Sequence, residues 1–178
     1  MARSMPWVCS DRLRRFLSLA AGLWMSSSAV AQTAPSWSSA VFPIAEFQAY
    51  TSHYGLRPGV DGQMQPHRGL DIAAPLGSPV LSWWSGDVVE RILDDSCGVG
   101  VLIRSGAYDH IYCHLQAPLL QPGQRVRAGQ LIGRVGLTGR TTGPHLHWGV
   151  RYRGRWVDPT RILKAMIRQR RADGASGD

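Results

Sequence analysis

Glycine and proline interrupt the chain at short intervals from Tyr50 onward, and they limit the elements that it can form. The 178 residues include 20 glycines and 11 prolines. The runs between them are short and apolar or alternating, as in Val99–Ser105 and Asp109–Leu115. Short runs of this kind, bounded by turn residues, are typical of β-strands. The sequence therefore predicts a mainly β fold.

Neighbouring strand runs are joined by short turns, which favours antiparallel sheets. One turn lies near Gly106, and Gly86 marks a bend between two runs in Pro79–Leu93. The C-terminal region differs because Pro159 suits the first position of a helix. Four apolar side chains then share one helical face: Ile162, Leu163, Met166 and Ile167. We therefore predict that residues 161–178 form a short amphipathic helix and a tail that is frayed from Arg171.

The first 31 residues have the pattern of a signal peptide. Basic residues precede an apolar stretch, and Ala29 and Ala31 form a small-x-small cleavage site. An uncleaved anchor is the alternative, although the apolar stretch is short for a membrane span. We predict cleavage after Ala31, export to the periplasm or cell envelope by the Sec or Tat route, and no transmembrane segment in the mature protein. Residues 32–50 are then a lead-in, and residues 51–160 form the main domain.

The charge and the cysteines agree with export. The formal net charge of +8 falls by three when residues 1–31 are removed, because they contain four arginines and one aspartate. A basic exported protein suits an anionic partner such as the cell wall, although the charge could serve solubility alone. Nucleic acid is not expected as a partner. The mature chain keeps Cys97 and Cys113, an even pair that predicts a disulfide in an oxidising compartment. Two free buried thiols are the alternative.

Two residues in the first half of the chain are candidate metal ligands. His67 and Asp71 lie four apart in a stretch that Pro66, Gly69 and Pro75 keep from being helical. In an extended chain this even spacing points both side chains to one face. A histidine and a carboxylate on one face suit a metal such as zinc. A structural hydrogen bond between the two is the alternative.

Three later histidines extend this set. His145 and His147 flank Leu146 on a predicted strand, so both imidazoles point to one face and the leucine points into the core. His114 lies on another strand run with the parity of Tyr112, where a lone histidine is usually structural.

Together these residues supply what a catalytic zinc requires. Such a zinc takes three protein ligands and keeps one position open. His67, Asp71 and one of the histidines at 145 and 147 make three ligands. The remaining histidine and His114 would stand beside the metal, where an imidazole can accept a proton or stabilise an oxyanion.

The motifs of the chain resemble those of the lysostaphin-like, LytM-type zinc metallopeptidases, which cleave peptide bonds in peptidoglycan. The resemblance covers about Thr51 to Pro159. It rests on six stretches: SHYGLR (52–57), HRGLDIAAPLGSPV (67–80), GDVV (86–89), YCHL (112–115), VRAGQLIGRVGLTGRTTGPHLHWGV (126–150) and VDP (157–159). It implies a compact, barrel-sandwich-like β domain that hydrolyses peptide cross-links of the bacterial cell wall.

The resemblance also implies a role for individual residues. It makes His67, Asp71 and His147 the ligands of one zinc ion, and it makes His114 and His145 the catalytic pair. It does not say which of these two is the general base. Arg57, in the first matching stretch, either lines the substrate cleft or supports a loop. The pair Trp148-Gly149 departs from the aromatic–acidic pair common in relatives, which concerns the cleft wall rather than the metal.

Two other functions are weighed against an endopeptidase. Some domains of this family lose their zinc residues and act as periplasmic regulators that bind and activate a wall amidase. The complete ligand set argues against that function here. A lipoyl-like carrier needs a lysine in a hairpin turn, and the single lysine, Lys164, lies in the predicted helix. Which cross-link is cut, whether a regulatory partner is needed and the oligomeric state stay open.

Overall fold

The computed structural model describes residues 37–59, 62–117 and 119–175. The predicted signal peptide lies outside them. The described residues form strands for the most part and one α-helix, so the predicted mainly β fold is confirmed. The strands are β1 (Ala49–Ser52), β2 (Gly55–Pro58), β3 (Met64–His67), β4 (Leu70–Ala73), β5 (Pro79–Leu81), β6 (Gly86–Asp94), β7 (Gly98–Ser105), β8 (Tyr108–Cys113), β9 (Arg125–Val126), β10 (Leu131–Arg134), β11 (His145–Tyr152) and β12 (Arg155–Val157), and the helix is α1 (Pro159–Ala175).

The paired strands are antiparallel, as the short turns predicted. Eight of the described strands form the main sheet in the order β1-β4-β11-β8-β7-β6-β9, with β12 paired to β11 beyond the end of β4. Two small sheets, β2-β3 and β5-β10, lie beside it. Because β4 and β8 flank β11, three segments that carry candidate site residues are neighbours in space.

Alternation along β11 separates a core face from a functional face. Leu146, Trp148 and Val150 are fully buried in the main core. His145 and His147 point to the other face, as predicted. A slip of one residue would exchange the two faces, so burial of the three apolar side chains specifies the register.

The main core lies between this sheet face, the small sheet β5-β10 and α1. Trp83 and Trp148 are fully buried in it, with ring centroids 5.6 Å apart. The indole N–H of Trp83 donates to the sulfur of Met166 at 3.0 Å, which holds α1 against the core. No helix in the described ranges is both long and apolar enough to cross a membrane.

The structure corrects the predicted ends of the domain. Ala40 and Ile44, in the expected lead-in, are buried in the main core, so residues 40–50 are part of the fold. The helix begins at Pro159, the first helical position that the sequence indicated, so the boundary between the main domain and the helix lies before Pro159 and not before residue 161. Asp158 accepts a hydrogen bond from the backbone of Thr160 at 2.9 Å.

The far end of α1 and its apolar face also differ from the prediction. The helix continues to Ala175, so the expected fraying from Arg171 is wrong. Its later turns contact the lead-in, where the backbone N–H of Trp37 donates to Gln169 at 2.8 Å. Ile167, predicted on the apolar face, is 52% exposed. The face of α1 that packs on the core is therefore narrower than the sequence pattern indicated.

A disulfide joins Cys97 to Cys113, so the prediction of a bridge is confirmed and the alternative of two free thiols is wrong. It links the turn before β7 to the end of β8 across 16 residues. Closing a loop of this length stabilises a fold by about 3 kcal/mol, because it restricts the unfolded chain.

His110 lies in a buried chain of hydrogen bonds whose directions are determined. Ser105 donates its only hydroxyl hydrogen to the carbonyl of Ser85 at 2.7 Å, so it accepts from Nε2 of His110 at 2.8 Å. Nδ1 of His110 then accepts from the hydroxyl of Tyr112 at 2.7 Å. That hydroxyl accepts in turn from the backbone N–H of Trp83 at 2.7 Å. A neutral imidazole satisfies every member of the chain.

We expect His110 to stay neutral well below pH 6. Burial lowers the pKa of His110 to about 3, against the weaker opposing charge of Asp109. In the unfolded chain a histidine takes up its proton near pH ~6.5, so between these values the unfolded state binds more protons. The free energy of unfolding should therefore fall as the pH is lowered through this window. NMR of the ring nitrogens should show neutral His110 at about pH 5, and a ring that titrates near its ordinary pKa would contradict the assignment.

Candidate metal centre

Three donor atoms from three strands converge at one end of the main sheet. Oδ1 of Asp71 lies 3.0 Å from Nε2 of His67 and 2.8 Å from Nδ1 of His147. The two nitrogens are 3.1 Å apart. In the described part of the chain, this is the group of three or more such side chains whose arrangement could hold a metal ion. The structure therefore brings the three predicted ligands together.

Asp71 and His147 meet through the register of the main sheet, because β4 and β11 place them directly opposite each other. His67 arrives differently. It ends β3 in the small β2-β3 sheet, and the chain bends at Arg68-Gly69 before β4 begins. The prediction that His67 and Asp71 share one face of a single extended segment was therefore wrong. A bend between two strands brings their side chains together.

This bend requires a residue without a side chain. A Cβ atom at Gly69 would lie 2.5 Å from Cε1 of His147 and 2.9 Å from the carbonyl oxygen of Trp148. Both distances are far below van der Waals contact. Gly69 therefore allows β11 to bring the imidazole of His147 close to the backbone before β4.

The substitution Gly69→Ala is expected to displace the ring of His147. We expect metal affinity to fall about 10- to 100-fold, as when a metal ligand loses its support. Overpacking should also lower the free energy of unfolding by about 1–3 kcal/mol. Competition with a chromophoric chelator measures the affinity. Gly143→Ala is the matched control because a Cβ there meets nothing within 4 Å, and equal affinities for the two variants would refute the prediction.

Hydrogen bonding prepares His67 to act as a ligand. Its Nδ1 lies 2.7 Å from the carbonyl of His53, a group that only accepts, so Nδ1 is the donor. In the neutral ring Nε2 keeps its lone pair and faces Oδ1 of Asp71. Two acceptor atoms at that distance repel each other unless a proton or a metal cation lies between them. A histidine that binds a metal through one ring nitrogen and donates the N–H of the other to a backbone carbonyl is typical of metal sites.

Asp71 is held in its charged form. Burial raises the pKa of this carboxyl, but its close interactions with His147 and His67 outweigh burial, and the pKa lies well below its usual range. Two imidazole nitrogens and one carboxylate oxygen form a donor set that a divalent metal such as zinc accepts while keeping an open position. The residues present therefore fit a metal.

Arg57 binds the second oxygen of the same carboxylate. Its Nη1 donates to Oδ2 of Asp71 at 2.7 Å, so Oδ1 is the oxygen that faces the two histidines. Arg57 also lines the open cleft above the three donor atoms. The sequence allowed two roles for Arg57, lining the cleft or supporting a loop. In the structure Arg57 lines the cleft and contacts Asp71.

His114 reaches the cleft through a rare backbone conformation. It follows β8 with a φ of 63°, in the left-handed region that non-glycine residues seldom adopt. Strand parity alone would point it to the core face with Tyr112, which is fully buried. The left-handed turn directs its side chain into the cleft instead. The predicted position on a regular strand was therefore wrong, because the strand ends at Cys113.

His114 and His145 form a pair beside the three donor atoms, with ring centroids 4.7 Å apart. Nδ1 of His114 donates to the carbonyl of Thr138 at 2.8 Å, and Nδ1 of His145 donates to the carbonyl of Gly143 at 2.9 Å. Nε2 of His145 lies 3.7 Å from Oδ1 of Asp71. Burial lowers the pKa of His114, and the neighbouring histidines act in the same direction. Both rings are thus oriented by backbone carbonyls.

The cleft that contains these groups has a volume of about 590 Å³. Residues of the β2-β3 hairpin line it, as do the turn before β7 and the loop before β11. No glutamate is among its described lining residues. The histidines are therefore the side chains at hand for proton transfer.

Residues 65–159, more than half of the chain, match the family model described as Peptidase family M23. The chain belongs to peptidase family M23. This confirms the resemblance that the motifs indicated. Two M23 relatives are peptidoglycan DD-endopeptidase ShyC of Vibrio cholerae, 42% identical over 107 residues, and DD-carboxypeptidase/endopeptidase Mpg of Neisseria meningitidis, 38% identical over 111 residues. The matches cover 58% and 62% of this chain but 24% and 26% of the relatives, so the chain spans about a quarter of their length.

Solved M23 structures show the same fold. A zinc-containing peptidase from Vibrio cholerae is 38% identical with a TM-score of 0.60, covering 66% of this chain and 37% of that chain. The catalytic domain of lysostaphin from Staphylococcus simulans is 32% identical with a TM-score of 0.59, covering 66% of this chain and 92% of that chain. The lysostaphin-type fold implied by the motifs is thereby confirmed.

Three residues of this M23 site were not among the predicted ones. Gly69 lies inside the His-x-Gly-x-Asp pattern, and in the sequence it indicated only that this stretch is not helical. Thr138 acts through its backbone carbonyl, which no side-chain pattern reveals. Arg140 lines the cleft, and it is the one charged residue between Arg134 and His145, a signal that was available in the sequence.

Proposed function

We propose that this M23 protein is a zinc-dependent endopeptidase that hydrolyses peptide cross-links of bacterial peptidoglycan after export to the periplasm. One observation carries the proposal: three ligand atoms converge at the base of an open cleft, and two further histidines lie beside them. The relative ShyC, named as a peptidoglycan DD-endopeptidase, supports the substrate class, and Mpg, named as a DD-carboxypeptidase/endopeptidase, supports the reaction.

The metal would be held by His67, Asp71 and His147. When bound, zinc lowers the pKa of a water molecule towards ~7 and polarises the scissile carbonyl. Arg57 keeps Oδ2 of Asp71 engaged at 2.7 Å, which leaves Oδ1 for the ion. The carbonyl of His53 orients the ring of His67 at 2.7 Å.

His145 and His114 carry out the proton transfers. Each gives its Nδ1 hydrogen to a backbone carbonyl, so the neutral ring keeps a basic Nε2. Nε2 of His145 lies 3.7 Å from Oδ1 of Asp71, which suits it to accept a proton from the attacking water. A protonated imidazole can then stabilise the oxyanion and deliver a proton to the leaving amine. Because both rings are held by carbonyls, little reorganisation is needed during the reaction.

Digestion of purified peptidoglycan tests this function. Zinc-loaded protein should convert cross-linked muropeptide dimers to monomers, as seen by mass spectrometry, while a chelator should stop the reaction and added zinc should restore it. Stoichiometric zinc without any cleavage would overturn the proposal. If a wall amidase were then stimulated by the protein, the alternative of a regulator would hold.

The intact mass of the exported protein tests the compartment. We expect a chain that begins at Gln32 and is two protons lighter than its reduced form, because of the bridge between Cys97 and Cys113. A full-length chain that remains with the cells would contradict processing and export.

A further inference from the structure

Positive charge dominates the cleft. Three arginines line it, Arg57, Arg68 and Arg140, against a single carboxylate, that of Asp71, among the described lining residues. A bound divalent metal would add to this excess. A cleft with a surplus of one sign attracts ligands of the other sign.

Two of these arginines already have partners. Arg57 donates to Asp71 at 2.7 Å. The guanidinium carbon of Arg68 lies over the ring of Trp156, 5.9 Å from its centroid. Arg140 is exposed, and none of the ion pairs and side-chain hydrogen bonds among the described residues includes its guanidinium. The guanidinium of Arg140 is therefore available to a ligand.

The backbone of Arg140 is firmly held. Its N–H donates to the carbonyl of Ser96 at 3.0 Å. The adjacent Gly139 packs on the turn before β7, where a Cβ on Gly139 would lie 2.3 Å from the backbone nitrogen of Gly98. The disulfide at Cys97 ties this turn to β8. The loop thus presents the guanidinium from a rigid support, which lowers the entropy lost on binding.

We propose that Arg140 binds a carboxylate of the peptide substrate and selects cross-links that carry a free carboxylate beside the scissile bond. This inference rests on the proposed function and names its substrate class. A guanidinium forms short, paired hydrogen bonds with a carboxylate, which uncharged bridges such as polyglycine cannot reproduce. The carboxylate belongs either to the side chain of a diamino diacid or to the free C-terminus of the peptide.

Three synthetic cross-linked peptides test the proposal. One carries both carboxylates, one has the diacid carboxylate amidated, and one has the C-terminal carboxylate amidated. Wild-type protein should prefer the first peptide over one of the amidated peptides by roughly 10- to 100-fold in kcat/KM, the range for a hydrogen bond to a charged group. Arg140→Gln should lose this preference, and its kcat/KM for that amidated peptide should match wild type. The amidated peptide that wild-type protein cleaves less efficiently than the first peptide identifies which carboxylate Arg140 binds.

Two controls separate recognition from structure. Arg127→Gln, an exposed arginine outside the cleft, should keep the wild-type preference. Arg140→Lys should retain part of it, because the charge remains without the paired hydrogen bonds. An equal loss on all three peptides in Arg140→Gln, or no preference in wild type, would overturn the proposal.

The same comparison made by binding does not depend on turnover. Affinities of the three peptides for His145→Ala protein, with and without Arg140→Gln, should show the same pattern. Failure of the proposed function would appear separately, as wild-type protein that leaves purified peptidoglycan uncut while still discriminating between the peptides in binding. Equal affinities for all three peptides would overturn the role of Arg140 itself.

Discussion

Replacement of His147 by alanine is expected to abolish both metal retention and cleavage of peptidoglycan. The change removes one of three donor atoms and leaves Asp71 without the imidazole that lies 2.8 Å from its Oδ1. The loss of metal affinity should exceed the roughly 10- to 100-fold typical of removing a group that only supports a ligand. Metal content after dialysis, measured by mass spectrometry, and digestion of purified wall check the two parts.

A folding defect in His147→Ala must be distinguished from the loss of a ligand. His147 is half-buried, so its removal should leave the disulfide and the sheet intact, which circular dichroism and intact mass verify. His147→Ala protein that is folded and retains stoichiometric metal would refute the assignment of this residue as a ligand.

Replacement of His145 by alanine is expected to leave the metal bound and to lower kcat strongly. The ring lies beside the donor atoms and does not belong to the group that converges on the candidate metal site. Loss of a general acid–base group lowers kcat by about 10²–10⁴-fold. Metal content equal to wild type with this drop in turnover is the expected result, measured on the same preparations as His147→Ala.

The comparison between the two variants is the sharpest test of the site. The two histidines lie two residues apart on one strand and on one face, so general effects on folding should be similar. Equal loss of metal in both variants would show that the division between ligand and catalytic residue is wrong. Normal turnover in His145→Ala would remove His145 from the proton transfers.

Much of the sheet was predictable because its information is local. Glycine and proline mark the ends of the strands, and the alternation from His145 to Val150 follows the two-residue period of a strand. The even cysteine count and the export pattern indicated the bridge between Cys97 and Cys113. The lead-in was less predictable, because burial of Ala40 and Ile44 depends on contacts with residues far along the chain.

The histidines show where spacing alone is insufficient. The sequence paired His67 with Asp71 correctly, but by a single-strand argument, whereas a bend at Gly69 joins two strands of different sheets. His114 would face the core by parity, and only its left-handed backbone turns it into the cleft. Neither the bend nor the turn follows from a two-residue period.

The sequence by itself determined the short strands, the faces of β11, the two cysteines and the residue types that a metal requires. These depend on neighbours within a few positions, where backbone geometry is regular. Only the tertiary structure decided that Gly69 admits the ring of His147, that Arg57 engages Asp71 and that the guanidinium of Arg140 has no ion pair or side-chain hydrogen bond among the described residues. Those outcomes depend on strand register and on which distant side chains meet, and no local pattern carries that information.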